Sequence, residues 1–110
     1  MKSEKKKKLE AAGWQLGTAE QLLGLSKQEA ELVELKLALA EGLRLRRQAR
    51  RLTQSRMAKL IGSSQSRVAK MESADSTVTL DLLLRSLLAT GATRRQLAKI
   101  IQRPIRFSAA

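Results

Sequence analysis

Between Leu52 and Glu72 the chain reads LTQSRMAKLIGSSQSRVAKME, two short stretches of helix-favouring residues parted by Gly62-Ser63-Ser64. Thr53 and Ser64 each place a hydroxyl just ahead of a stretch, where it accepts one of the backbone N–H groups that a first helical turn leaves unpaired. Met57 and Ile61 in the first stretch, and Val68 and Met71 in the second, recur at the three- and four-residue spacing that gathers apolar side chains on one helix face. Gly62 accepts the left-handed conformation that closes a helix and turns the chain sharply. The small side chain of Ala58 leaves room for the second helix to cross close to the first. The spacing predicts helices near 54–61 and 65–72 that meet across Gly62.

The rest of the chain carries the same punctuation. Val, Ile and aromatic residues are scarce, while Leu, Ala, Lys, Arg, Gln and Glu dominate, so helices are expected and strands are not. Ser or Thr followed three residues later by Gln or Glu marks further helix starts at Thr18 with Gln21, Ser26 with Glu29, and Thr93 with Gln96. Gly24, Gly62 and Gly91 stand where stops are needed. The map is then a basic start, a short helix near 18–23, a long helix from Lys27 to about Arg50, the two helices around Gly62, and helices near 80–89 and 94–102. Pro104 ends regular structure.

With 110 residues, 43% of them hydrophobic, the chain holds enough apolar surface for one domain, expected over 27–102. Residues 1–26 read as a basic start with a short helical extension, and 103–110 as a tail. In the long helix, Leu32, Leu35, Leu39 and Leu43, with Val33, Leu37 and Ala40, form a wide apolar stripe. Part of it belongs to the core, and a face this broad also fits burial against a second subunit.

Charge narrows the function. The net charge is +12, and it is unevenly spread: residues 42–71 carry +9 without one acid, whereas 11–41 carry −3 and 72–90 carry −2. An ordinary surface mixes signs, and an acid-free block holding Arg44, Arg46, Arg47, Arg50, Arg51, Arg56, Lys59, Arg67 and Lys70 suits a polyanion, where counterion release drives binding. Arg56 and Arg67 fall in the first turns of their helices, against the macrodipole, at a cost of roughly 0.3 to 1 kcal/mol that a nearby phosphate would offset. The run Lys5 to Lys8 reads as a solvated terminus. Trp14 and Phe107 are the only aromatic residues, too few for stacking single-stranded bases, so a duplex is favoured.

The same composition removes other classes. Without cysteine or histidine there is no disulfide, no thiolate or imidazole metal site, no cysteine nucleophile and no imidazole base. No cofactor is expected. Glu72, Asp75 and Asp81 are too few and too close to helix ends to serve as an acid/base pair, so no catalytic residues are assigned. Charges interrupt every apolar run well short of the ~20 residues of a membrane span, and no apolar signal core follows the basic start. A cytoplasmic, nucleoid-associated protein is expected.

Over about residues 43–100 the sequence resembles the Cro and phage-repressor-like (XRE-type) helix-turn-helix regulators. The resemblance is carried by Leu52-Thr53-Gln54, Ala58, Gly62, Ser64-Gln65-Ser66, Val68 and Glu72, followed by a Leu-rich helix ending at Gly91. It implies an all-α, lambda-repressor-like five-helix domain whose second motif helix enters the major groove of double-stranded DNA. Gln65, Ser66 and Lys70 match base-facing positions, with Arg67 beside them. Gln54 matches a residue that bonds to phosphate and braces the first residue of the reading helix, and Ser64, Arg56 and Arg50 are the further phosphate candidates. Glu72 matches an acid that forms a buried bridge to an arginine of the preceding long helix, where Arg47 stands. Two residues depart from the pattern, because Arg51 and Ala74 occupy positions where the family usually has Gly in a left-handed backbone.

Ahead of this domain, Gly13-Trp14 and two short capped segments resemble the front of HigA-type antitoxins, which pair with a RelE-like ribonuclease toxin and repress their own operon. The reading is a repressor, expected to be a homodimer on two half-sites about one helical turn apart. Two alternatives are kept: an antitoxin whose main task is holding a toxin, and an electrostatic binder of RNA or membrane surface.

Overall fold

The computed structural model describes Gly24 and residues 26–103. They form five helices in chain order: α1 Lys27–Ala49, α2 Gln54–Ile61, α3 Gln65–Glu72, α4 Leu80–Ala89 and α5 Arg94–Gln102. Among the described residues there is no strand. The expected short helix near 18–23, Trp14, the lysine run and Phe107 lie outside the described residues.

Each helix starts at a side chain that meets an unpaired amide. The Glu29 amide bonds to Ser26 Oγ while Glu29 Oε1 accepts from the Ser26 amide, both at 3.1 Å. Thr53 accepts from the Arg56 amide, Ser64 from that of Arg67 and Thr79 from that of Leu82. Thr93 and Gln96 close a reciprocal capping box ahead of α5.

The stops share one geometry. At the ends of α1, α2, α3 and α4 a left-handed residue lets the next amide reach back to a carbonyl five residues earlier: Leu52 to Arg47, Ser63 to Ala58, Asp75 to Lys70, and Ala92 to Leu87, at 3.1, 2.8, 3.0 and 3.2 Å. Gly62 and Gly91 supply the positive φ in two of these joints. Arg51, at φ 55°, and Ala74, at φ 53°, supply it in the other two. The two departures from glycine therefore keep the left-handed joint and carry the Cβ strain that glycine would avoid.

The chain divides into two units, Lys36–Arg103 and the remainder. In the remainder, the described residues are Gly24 and 26–35, where Ala30 is buried and Leu32 half exposed. In Lys36–Arg103, one core joins all five helices: Leu39, Ala40 and Leu43 of α1, Met57 and Ala58 of α2, Val68 and Met71 of α3, Leu83 and Leu87 of α4, and Ile100 of α5, with Val78 and Ala92 from the joints. Each large side chain removed from water here contributes about 1.5 to 3 kcal/mol. Of the apolar stripe on α1, Leu39, Ala40 and Leu43 belong to this core, whereas Leu35 and Leu37 are only half-buried. Ser86 is buried beside Met71, donating to its Sδ at 3.2 Å.

Candidate nucleic-acid interface

The α2–α3 pair is held in register by Gly62, whose φ of 69° turns the chain, and by Met57, Ala58, Val68 and Met71 beneath it. That packing points the opposite face of α3 outward. Gln65, Ser66, Arg67 and Lys70 are all exposed. Neither α2 nor α3 has an acid in its first turn, so Arg56 and Arg67 stand at positive helix ends with no carboxylate beside them in the turn. The Ser64 hydroxyl accepts from the Arg67 amide at 3.2 Å, which leaves its own hydrogen to donate outward.

A chain of polar side chains runs behind this face. Arg47 grips Glu72 with two parallel bonds, Nε to Oε2 at 2.7 Å and Nη2 to Oε1 at 3.0 Å, and its Nη1 donates to the Leu52 carbonyl at 2.9 Å. The Glu72 carboxylate is nearly sealed, with its side chain 5% exposed. The hydrogen bond to Glu72, opposed by burial, raises the Arg47 pKa still further above its ordinary range. Gln54 donates to Glu72 Oε1 at 3.2 Å and accepts from Gln65 Nε2 at 2.8 Å. The structure thus brings Arg47, Glu72, Gln54 and Gln65 into one network that begins in the interior and ends at the first residue of α3.

On the other flank of α3 lies an open groove of about 530 Å³, lined by Ser64, Ser66, Arg67 and Lys70 on one wall and by Thr77, Thr79, Asp81, Leu82 and Arg85 on the other. The sequence reading missed this second wall. The signal was present, because no acid follows Asp81 in the whole chain, so Arg85 opens a second basic run. Arg85 lies 3.7 Å from Asp81 and both are largely exposed, which makes the pair weak.

The candidate arginine Arg50 is placed apart from α3. Its Nη2 lies 3.8 Å from where a Cβ on Gly91 would stand, against the α4–α5 joint. Arg46 turns the same way, with Nε donating to Thr90 Oγ1 at 2.8 Å and Nη2 to the Thr90 carbonyl at 3.2 Å. Burial, and then the charge of Arg50, lower the Arg46 pKa. Arg46 therefore fastens α1 to the end of α4, a role its place in a basic block did not disclose.

Residues 43–95 match the helix-turn-helix family, and the match spans the last turns of α1, both motif helices, all of α4 and the start of α5. The chain carries a helix-turn-helix domain of the Cro and phage-repressor-like type. Its five-helix, strand-free arrangement is the lambda-repressor-like fold, and the family assignment makes it a DNA-binding transcriptional regulator. Searches of the curated proteins and of the solved structures gave no match. Among the described residues, the helix-turn-helix domain has no helix long and apolar enough to cross a membrane and no cluster of side chains suited to a metal ion.

Proposed function

We propose that this chain is a sequence-specific repressor of bacterial type that binds duplex DNA as a homodimer at the nucleoid and controls its own gene. Gln65, Ser66, Arg67 and Lys70 read base edges, and Gln54, Arg56, Ser64 and Arg50 hold phosphates. One observation carries the reading. The outward face of α3 presents an amide, a hydroxyl and two cations, with Gln65, Ser66 and Arg67 in its first turn and Lys70 in its last, all exposed, on a helix whose buried face packs against α2. Gln matches the adjacent donor and acceptor of adenine, and Arg or Lys the two acceptors of guanine, each good pair giving about 1 to 3 kcal/mol of discrimination. Gln54 has one N–H left after its bonds to Glu72 and Gln65, enough for a phosphate oxygen.

The test is selection from random duplex DNA, followed by binding across a salt series. A repressor of this kind selects a two-fold site with half-sites about one helical turn apart and keeps its preference over scrambled DNA as salt rises. Gln65→Ala relaxes the preference at one base pair in each half-site, whereas Arg56→Ala weakens all sequences alike and reduces the salt slope by about one ion. An equal affinity for selected and scrambled DNA at every salt concentration would overturn the reading.

A second reading, neutralisation of a RelE-like ribonuclease toxin, draws on one observation. The start of α1 exposes Leu32 beside the acids Glu29 and Glu31, a combination suited to a basic partner. Its test is co-expression with the product of the adjacent reading frame. A stoichiometric complex that Leu32→Lys disrupts supports it, and a neighbour that is no small basic nuclease removes it.

A further inference from the structure

Glu72 has only acceptors to offer, and that one-sidedness propagates to the surface. An ionised carboxylate has no hydrogen to give, so Glu72 Oε1 takes an N–H from Arg47 and a second from Gln54. Gln54 must therefore turn its nitrogen inward. Its oxygen then faces Gln65 and can only accept, and the group it accepts is Gln65 Nε2, at 2.8 Å. Reversing the Gln54 amide would set its oxygen against the carboxylate in a nearly water-free site. Reversing Gln65 alone would set two amide oxygens face to face.

Resting on α3 as the helix that enters the major groove, we infer that Glu72 is a specificity-determining positioning residue: through Gln54 it fixes which end of the Gln65 amide points which way. One hydrogen of Gln65 Nε2 is committed to Gln54. With the hydrogen anti to Oε1 given to Gln54, the syn hydrogen and Oε1 form one edge that offers the base a donor and an acceptor in one fixed order. Adenine presents N7 as acceptor and N6 as donor, and it fits that edge in one placement only. Guanine presents two acceptors there and leaves Oε1 facing another oxygen. A free glutamine would sample both amide orientations and so accept either order. The buried charge at the far end of α3 thus narrows the base choice at its leading end, although Glu72 touches no DNA.

The test compares full-length wild type, Gln65→Ala, Glu72→Gln and Gln54→Leu by selection from random duplex DNA. The quantity read is the ratio of affinities for the preferred and exchanged base at the pair that Gln65→Ala affects. Glu72→Gln replaces an acceptor-only group with one that also donates. Gln54→Leu cuts the relay while leaving the Arg47–Glu72 pair in place, so it remains informative if Glu72→Gln fails to fold. Both variants are expected to lower the ratio roughly tenfold, within the range one bidentate base contact supplies. A uniform loss of phosphate affinity cancels in the ratio. If Gln65→Ala alters one base pair and Gln54→Leu leaves its ratio unchanged, Glu72 does not set the polarity and this inference fails alone. If Gln65→Ala changes no base pair, the reading of α3 fails first and takes this inference with it.

Discussion

Gly42 on α1 and Ile100 on α5 approach so closely that a Cβ added to Gly42 would stand 2.8 Å from Ile100 Cγ2 and 2.9 Å from its Cδ1. Two effects oppose each other in Gly42→Ala. Alanine favours a helix interior over glycine by about 1 kcal/mol, while overpacking a buried contact costs about 1 to 3 kcal/mol. The crowded atoms include both γ carbons of Ile100, a β-branched residue whose χ1 strongly prefers one rotamer in a helix, so the side chain yields little and the second effect wins. Gly42→Ala is expected to lower stability by ~1 kcal/mol in urea unfolding. Combined with Ile100→Ala it should show the two changes coupled, with the double variant losing less than the sum of the single losses; simple additivity would refute the contact.

Removing Glu72 exposes the arithmetic of the buried pair. Arg47 keeps the Leu52 carbonyl but loses both carboxylate oxygens. Stranding such a charge costs about 3 kcal/mol or more, whereas truncating an exposed arginine such as Arg67 costs within about 0.5 kcal/mol. Glu72→Ala should lower the melting temperature far more than Arg67→Ala does, and equal losses would count against the bridge.

The two left-handed joints that lack glycine make opposite trades. Arg51 is exposed, so Arg51→Gly relieves about 1 to 2 kcal/mol of backbone strain against about 0.5 to 1 kcal/mol of added chain entropy, and a net gain is expected. Ala74 is half-buried and packs on the core, so Ala74→Gly also loses the burial of its methyl, about 0.8 kcal/mol. Thermal unfolding should show Arg51→Gly stabilised and Ala74→Gly near neutral.

Acid should loosen the start of α1. The Ser26 amide and then the Ser26 hydroxyl hold the Glu29 carboxyl below the ordinary glutamate range. A depressed carboxyl supports the folded form at pH values above its unfolded value and loses that support as pH falls through its folded value. Protection of the Ser26 amide against hydrogen exchange, referred to the intrinsic rate at each pH, should fall between about pH 5 and pH 3 in wild type. In Glu29→Gln it should stay level, because the amide keeps an acceptor and does not titrate over that interval.

Salt-bridge and cap chemistry also explain what was legible in advance. The residue ranges 54–61, 65–72, 80–89 and 94–102 could be read because a hydroxyl three residues from an amide, or a glycine just past the last turn, acts within a few residues of chain. At Arg51 and Ala74 no glycine marks the stop, so the left-handed joint there came from the structure, where both residues take a positive φ. Periodicity placed Met57 and Val68 on buried faces and made part of the α1 stripe core, and the structure shows which part, Leu39, Ala40 and Leu43. Leu32 shows the limit of that reasoning, because periodicity puts it on the stripe and only surrounding chain could cover it.

What the sequence decided by itself is therefore local: helix limits, their polarity, the glycine stops and the charge that draws the chain to a polyanion. Tertiary structure alone decided that Arg46 fastens Thr90 instead of facing outward, that Gly42 makes room for Ile100, that a basic groove has Arg85 on its second wall, and that Glu72 communicates with Gln65 through Gln54. Each of these joins residues from separate helices or from opposite ends of one. Their meeting depends on how the helices cross, and helix crossing is set by the fit of a whole core and not by any neighbouring stretch of chain.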